Sequence, residues 1–178
     1  MATDKRPADG GVSHGTINVV LANQNGIVVL TDSIVTCGDR QQAEPAQKLF
    51  KLDDRTVCTV AGFLAAPGPG DLYMASSALI HEYSQQISSN PPQTIRAHLT
   101  SLAFLFKFLL SAIATIRDGT GSPTDLRDYE SQLTIAGYDI DGIAKIGQVT
   151  LWTVPNGNSL TAGCPTLPRG TGLPPNHH

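Results

Sequence analysis

From Thr16 onward, short runs of β-branched and apolar residues alternate with polar turns, and they fall in two blocks on either side of a long helical stretch. Ile17-Asn18-Val19-Val20-Leu21 and Ile27-Val28-Val29-Leu30 flank Asn23-Gln24-Asn25-Gly26, which predicts a hairpin because Asn and Gly tolerate positive φ. Asp32 falls at the end of the second run, on the face of Val28 and Leu30 by strand alternation. Residues 36–45 read as a polar loop. Lys48 to Leu52 then pairs with Thr56 to Ala61 across the turn Asp53-Asp54-Arg55.

Lys48 shares its face with Phe50 and Leu52, so a buried face there turns an amine inward, and a buried amine needs a partner. Asp32 is the candidate. The alternative is a solvated lysine at a strand edge.

The middle of the chain predicts two helices. Asp71 caps one that runs to about Gln86, with Leu72, Ala75, Leu79 and Tyr83 along one side. Pro91-Pro92 suits the first turn of the next. That second helix carries the most apolar run, Leu99 to Ile116. Thr100, Lys107, Ser111, Thr115 and Asp118 recur at helical spacing as a narrow polar stripe. A central lysine is costly in lipid, so a helix buried between layers is expected rather than a membrane span. A last hairpin follows, Leu133 to Tyr138 with Ile143 to Ile146, the second strand continuing to Val154. Strands, a helical pair and more strands give an α+β class, not βαβ alternation.

Composition narrows the picture. The chain has 178 residues, enough for one domain with a real core, and 40% of them are hydrophobic. A net charge of -3 with scattered Lys and Arg gives no footprint for nucleic acid. Three widely spaced cysteines suit neither a disulfide framework nor a zinc site, so a reducing, cytoplasmic setting is expected. Residues 1–15 have no secretory apolar core and read as a disordered leader, residues 16–154 as the domain, and 155–178 as an irregular Pro-rich tail. The five histidines show no ligand spacing, and no metal or organic cofactor is expected.

Gly15-Thr16, Asp32-Ser33, Lys48-Leu49-Phe50-Lys51 and Ala61-Gly62 together resemble the proteasome β-subunit and HslV family of N-terminal-nucleophile hydrolases. In that family an aspartate lies sixteen positions after the nucleophilic threonine, a lysine sixteen further, and an oxyanion-hole glycine fourteen beyond. Thr16, Asp32, Lys48 and Gly62 reproduce all three intervals. The resemblance covers roughly Gly15 to Val154.

It implies a four-layer αββα sandwich. It also implies autocleavage between Gly15 and Thr16 that frees the Thr16 amine, and attack by Thr16 on polypeptide substrates inside a homo- or hetero-oligomeric ring. The chemistry suits the residue types. A threonine hydroxyl needs a base, and its own freed α-amine, with a reference pKa of about 7.7–8.0, can serve. The Lys48 ammonium would lower that pKa, Asp32 would hold Lys48, and the Gly62 N–H would donate to the oxyanion. By the same resemblance Thr36 would pair with substrate through its backbone. Val35, Ala46, Phe50, Val60 and Leu64 would line an apolar pocket beside the cleaved bond, or they are simply core.

Two departures stand out. Ile17 and Asn18 replace residues that are commonly hydroxylic in the family. The chain also stops where the family continues with closing strands, further helices and a supporting aspartate and serine, so the sandwich is expected to be incomplete at its C-terminal end. A catalytically inactive structural or interaction subunit, or a truncated fragment, is the competing expectation.

Overall fold

The computed structural model describes residues 13–14, 16–23, 25–37, 42–67, 73–119, 130–156 and 159–163. Two antiparallel sheets and two helices form mixed α/β architecture. The smaller sheet is the hairpin β2 (Asn18–Asn23) and β3 (Gly26–Thr31), in register from Asn18 opposite Thr31 to Asn23 opposite Gly26. Between them Asn25 N–H donates to the Asn23 side chain at 2.8 Å, and Gly26 already pairs with Asn23 as the first residue of β3.

The larger sheet is built around β7 (Thr56–Pro67), a strand six residues longer than its apolar pattern indicates. Next to one stretch of β7 lie β6 (Leu49–Lys51) and, on the other side, β9 (Ser131–Tyr138), β10 (Ala144–Asn156) and β11 (Ser159–Gly163). Along the rest of β7 pair β8 (Tyr73–Ala75) and β1 (Ser13–His14), and beyond β1 come β4 (Ile34–Cys37) and β5 (Gln42–Pro45).

Helices α1 (Ser76–Gln86) and α2 (Ile95–Gly119) cover one face of this sheet. Strand alternation sorts that face: Cys58, Val60, Leu133, Ile135, Val149 and Leu151 point at the helices and are buried. From α2, Leu99, Leu102, Phe106, Leu110 and Ile113 meet them, at the helical spacing that puts residues on one stripe. Each such side chain removed from water stabilises the fold by about 1.5–3 kcal/mol. The hairpin β2–β3 lies on the opposite face, where its turn approaches Tyr138 at the end of β9.

Several expectations are corrected. The helix expected from Asp71 begins at Ser76, and Asp71 lies outside the described residues. Tyr73–Ala75 are instead drawn into β8 by pairing with Ala65–Pro67. The segment read as a polar loop overlaps the end of β4 and contains β5, because backbone pairing between these strands overrides a weak apolar pattern. Ser13–His14, read as the end of a disordered leader, form β1. In the tail, β11 pairs with β10 from Trp152 opposite Gly163 to Asn156 opposite Ser159, while residues 164–178 lie outside the described residues.

Helix α2 is long and apolar enough to cross a membrane by length and composition, yet its stripe is packed on the sheet. It is not enclosed between layers as expected, since Phe104 and Phe108 on its outer side are exposed. Its N-terminus is capped from a distance. The Asp139 carboxylate, 3% exposed, accepts from Ile95 N–H at 2.7 Å and pairs with Lys145. An acid at a helix N-terminus satisfies an orphan donor and meets the positive end of the helix dipole, worth about 0.5–2 kcal/mol.

Candidate active site

Lys48 is the largest fully buried polar side chain in the described core, on the same face as buried Phe50 and Leu52. The alternation of a short strand dictates this, because turning Lys48 outward would expose Phe50 and Leu52 instead. The buried ammonium lies 2.9 Å from Asp32 Oδ2 and also donates to the Ile34 carbonyl. Asp32 sits just beyond the end of β3, so it leaves the alternation that exposes Val28 and Leu30 and swings toward Lys48. Its second oxygen, Oδ1, accepts from Ile17 N–H at 2.7 Å, and Asp32 N–H donates back to Ile17 O at 3.2 Å. A carboxylate thus ties the residue after Thr16 to the lysine.

Burial works to raise the Asp32 pKa, but the hydrogen bond from Ile17, the Lys48 bond and charge, and Ile34 N–H together hold it below the ordinary aspartate value. The acid is ionised at neutral pH and balances the ammonium. Thr16, half-buried, precedes Ile17 on the face it shares with Asn18. Gly15 lies outside the described residues. Both amide atoms of Asn18 are buried without a hydrogen bond among the described residues.

Gly62 stands in β7 with φ of +85°, and a Cβ there would come within 2.1 Å of the Glu130 carbonyl oxygen. Glycine is required at this position for the close passage of the 130–131 backbone, independently of any role for its N–H. Of the expected pocket residues, Phe50, Val60 and Leu64 are buried within the core cluster and Ala46 packs partly buried against it. The side chains of Val35 and Thr36 lie outside the described residues. Their backbone forms β4, and Thr36 pairs with His14.

That last pairing has no signal in the local sequence. Ser13 and His14 run antiparallel between β4 and β7, with His14 opposite Thr36 on one side and Phe63 on the other. A segment of extended peptide immediately before Thr16 is held by main-chain bonds on both edges, the geometry by which sheets bind peptides. The backbone partners of Lys48 and Asp32, Ile34 O and Ile17 N–H, also escape sequence reading, since any residue type supplies them.

A second polar network, at the far end of β6, was not foreseen either. His98, 1% exposed in the first turn of α2, places Nδ1 3.1 Å from the Tyr83 hydroxyl of α1. Its Nε2 lies 3.1 Å from Asp53 Oδ2 in the β6–β7 turn. Burial pushes the Tyr83 hydroxyl up to about 12, and it lowers the His98 pKa below its ordinary value against the pull of Asp53. Among the described residues no group of three or more His, Cys, Asp or Glu could hold a metal ion.

The family comparison fits this geometry. A family model described as "Proteasome: Proteasome subunit" matches residues 12–91, a span that contains β1, Thr16, Asp32, Lys48, Gly62 and α1. No curated protein matches the chain. Over residues 12–91 this chain is similar to proteasome subunits.

Proposed function

We propose that the protein is the precursor of a threonine peptidase whose nucleophile is Thr16, freed by cleavage after Gly15. The observation that carries this reading is the Lys48–Asp32 pair, buried at 2.9 Å and tied to the Ile17 amide next to Thr16. A buried ammonium costs the fold several kcal/mol of desolvation, so its placement here is better explained by chemistry than by stability. After cleavage the Thr16 α-amine takes the proton from Oγ as Oγ attacks a peptide carbonyl. Lys48 lowers the basicity of that amine by like-charge repulsion, leaving more of it neutral. The Gly62 N–H donates to the developing oxyanion, an interaction of about 2.7–4 kcal/mol where such a donor has been removed. The amine returns its proton to the leaving nitrogen, then activates water to release the acyl group from Oγ.

The pairing of Ser13–His14 between β4 and β7 supports an extended polypeptide as substrate, with Thr36 contributing backbone pairing. Ala46, Phe50, Val60 and Leu64, with Val35, supply an uncharged wall beside the cleaved bond and a preference for apolar side chains there. Further parts of the same proposal are the four-layer sandwich, assembly into a ring and a cytoplasmic setting.

The competing reading is an inactive subunit that stays unprocessed. It is favoured by the closed packing of Phe50, Val60 and Leu64. Intact-mass measurement of the folded protein separates the two. The peptidase reading expects a product that starts at Thr16 and whose peptidase activity disappears in Thr16→Ala. A wild-type chain that stays folded with residues 1–15 attached overturns it.

A further inference from the structure

We propose that the outer face of the β2–β3 hairpin is a docking surface for helix α2 of a second copy of this chain. Such a contact goes beyond the peptidase reading and is independent of it.

Among the described residues, two apolar faces lack a covering layer. On the hairpin, strand alternation turns Val19, Leu21, Val28 and Leu30 to one side, with Val19 opposite Leu30 and Leu21 opposite Val28. All four are exposed, and so is Ile17, which extends the row toward Thr16. Val20 and Val29 face the other way and are half-buried. A sheet face of this kind needs another element against it, and a contiguous patch is unlike the scattered apolar residues of an ordinary surface.

The second face is the outer side of α2. Phe104 and Phe108 stand one turn apart and are 71% and 73% exposed, while Leu102, Phe106 and Leu110 hold the helix to the sheet. Aromatic side chains in such positions are the usual anchors of protein interfaces.

Charge selects the occupant. Residues 18–31 carry no charged side chain, and the acid that follows, Asp32, keeps contact with water. Exposed Arg96 and Lys107 make the outer side of α2 cationic, and the helix holds no acid before Asp118. Two α2 faces brought together would therefore repel, and two hairpin faces brought together would leave the phenylalanines bare. Helix on hairpin covers both faces and sets cations against a neutral surface with an acid at its end.

The contact cannot form within one copy. The helices and the hairpin lie on opposite sides of the larger sheet, so the outer side of α2 is turned away from its own hairpin. Nor do residues 1–12 or 164–178 carry an apolar helical stripe: the first stretch is polar, and the second holds four prolines. Each copy then gives its hairpin to one neighbour and its α2 to another. That is a head-to-tail contact, which closes as a ring or extends as a filament.

Sedimentation velocity on the full chain with Thr16→Ala tests this across a concentration series. Association that grows with concentration is expected. Leu21→Lys and Phe104→Lys should each weaken it by about thirtyfold or more, the effect of losing an interface hot spot. Both side chains are exposed in the single copy, so the urea midpoint should stay in place. Val28→Lys and Phe108→Lys repeat the test should either chain fail to fold. The Leu21→Lys chain keeps its α2 face and the Phe104→Lys chain keeps its hairpin, so mixing them should give a one-to-one dimer and nothing larger. A chain that stays monomeric at every concentration overturns the proposal, as does association that neither substitution moves. A mixture that fails to pair overturns it too, since each face would then meet its own kind. So does a monomer that binds phosphatidylserine vesicles through Phe104, which would give the helix face to a membrane. Processing at Thr16 enters none of these readouts, so either reading can fail without the other.

Discussion

At one end of β6, Lys48 is closed off from solvent against an acid that is not, the two side chains being 0% and 32% exposed. At the other end both partners are shut in, with His98 1% and Asp53 9% exposed. The two networks contain similar groups and lie on the same short strand. What differs is which member keeps contact with water. On the peptidase reading, a site that has to admit a peptide leaves Asp32 hydrated, while the ammonium stays dry and electrostatically strong. The His98–Asp53 contact, which fastens α2 to the β6–β7 turn, excludes water from both partners, and burial there disfavours the charged imidazole.

Removing charges at the two ends breaks this comparison in different ways. The largest effect is expected from Lys48→Met. It should lower kcat/KM of the processed peptidase by about 10²–10⁴-fold, the range for a lost acid–base contribution. Stability should move by no more than about 1–2 kcal/mol, because the Asp32 left behind can be hydrated. Steady-state kinetics and urea unfolding on the same preparation check both halves.

Asp32→Ala inverts the pattern. It strips a wholly buried ammonium of its carboxylate and should destabilise the chain by about 3–5 kcal/mol, read from the shift in urea midpoint at constant slope. Equal stability costs for the two substitutions would dissolve the distinction.

The acid limits sharpen it further. Asp32 is held below its ordinary pKa, so its contribution persists above about pH 3.9 and is lost only as pH falls through the lower folded-state value. His98 is held below its ordinary pKa by burial, so the stability it lends as a neutral ring is present above about pH 6.5 and is lost as pH falls through its lower folded-state value. A thermal-denaturation series across pH is expected to show two separate declines, the upper one absent in His98→Gln.

Smaller still is Tyr83→Phe at neutral pH, which leaves Nδ1 of a buried ring without its hydroxyl partner and should cost about 1–3 kcal/mol. At the bottom of the scale is Lys51→Ala. Lys51 pairs with Asp54 at 2.6 Å, but both are exposed, and no change in melting temperature is expected.

Much of the candidate site was legible because it is written in residue types at fixed intervals. Lys48, Phe50 and Leu52 alternate in a way that forces the amine inward, and Asp32 was its evident partner; the structure brings the two together. The hairpins around Asn23 to Gly26 and Asp139 to Gly142 follow from turn chemistry, and both strand pairs form, with Gly142 at a φ of 78°. Gly62 was singled out for its N–H, yet its conformation and the approach of Glu130 give it a packing reason that no single-sequence pattern carries. Strands β4 and β5 were missed, as were β8 and the pairing of Ser13–His14, because their membership depends on neighbours distant in sequence rather than on their own apolar rhythm.

By itself, then, the amino-acid order determined which side chains face inward on β6, where the hairpins fall and that two helices separate two blocks of strands. These are local matters, decided by side-chain periodicity and backbone preference over a few residues. Only the tertiary structure decided that the peptide before Thr16 lies as a strand between β4 and β7, that Asp139 caps a helix 44 residues away, and that His98 joins α1, α2 and the β6–β7 turn. Each of these is a contact between surfaces that exist only after the sheet has formed. Backbone groups and lone polar residues acquire a partner through that packing, and their identity in the sequence does not say which one.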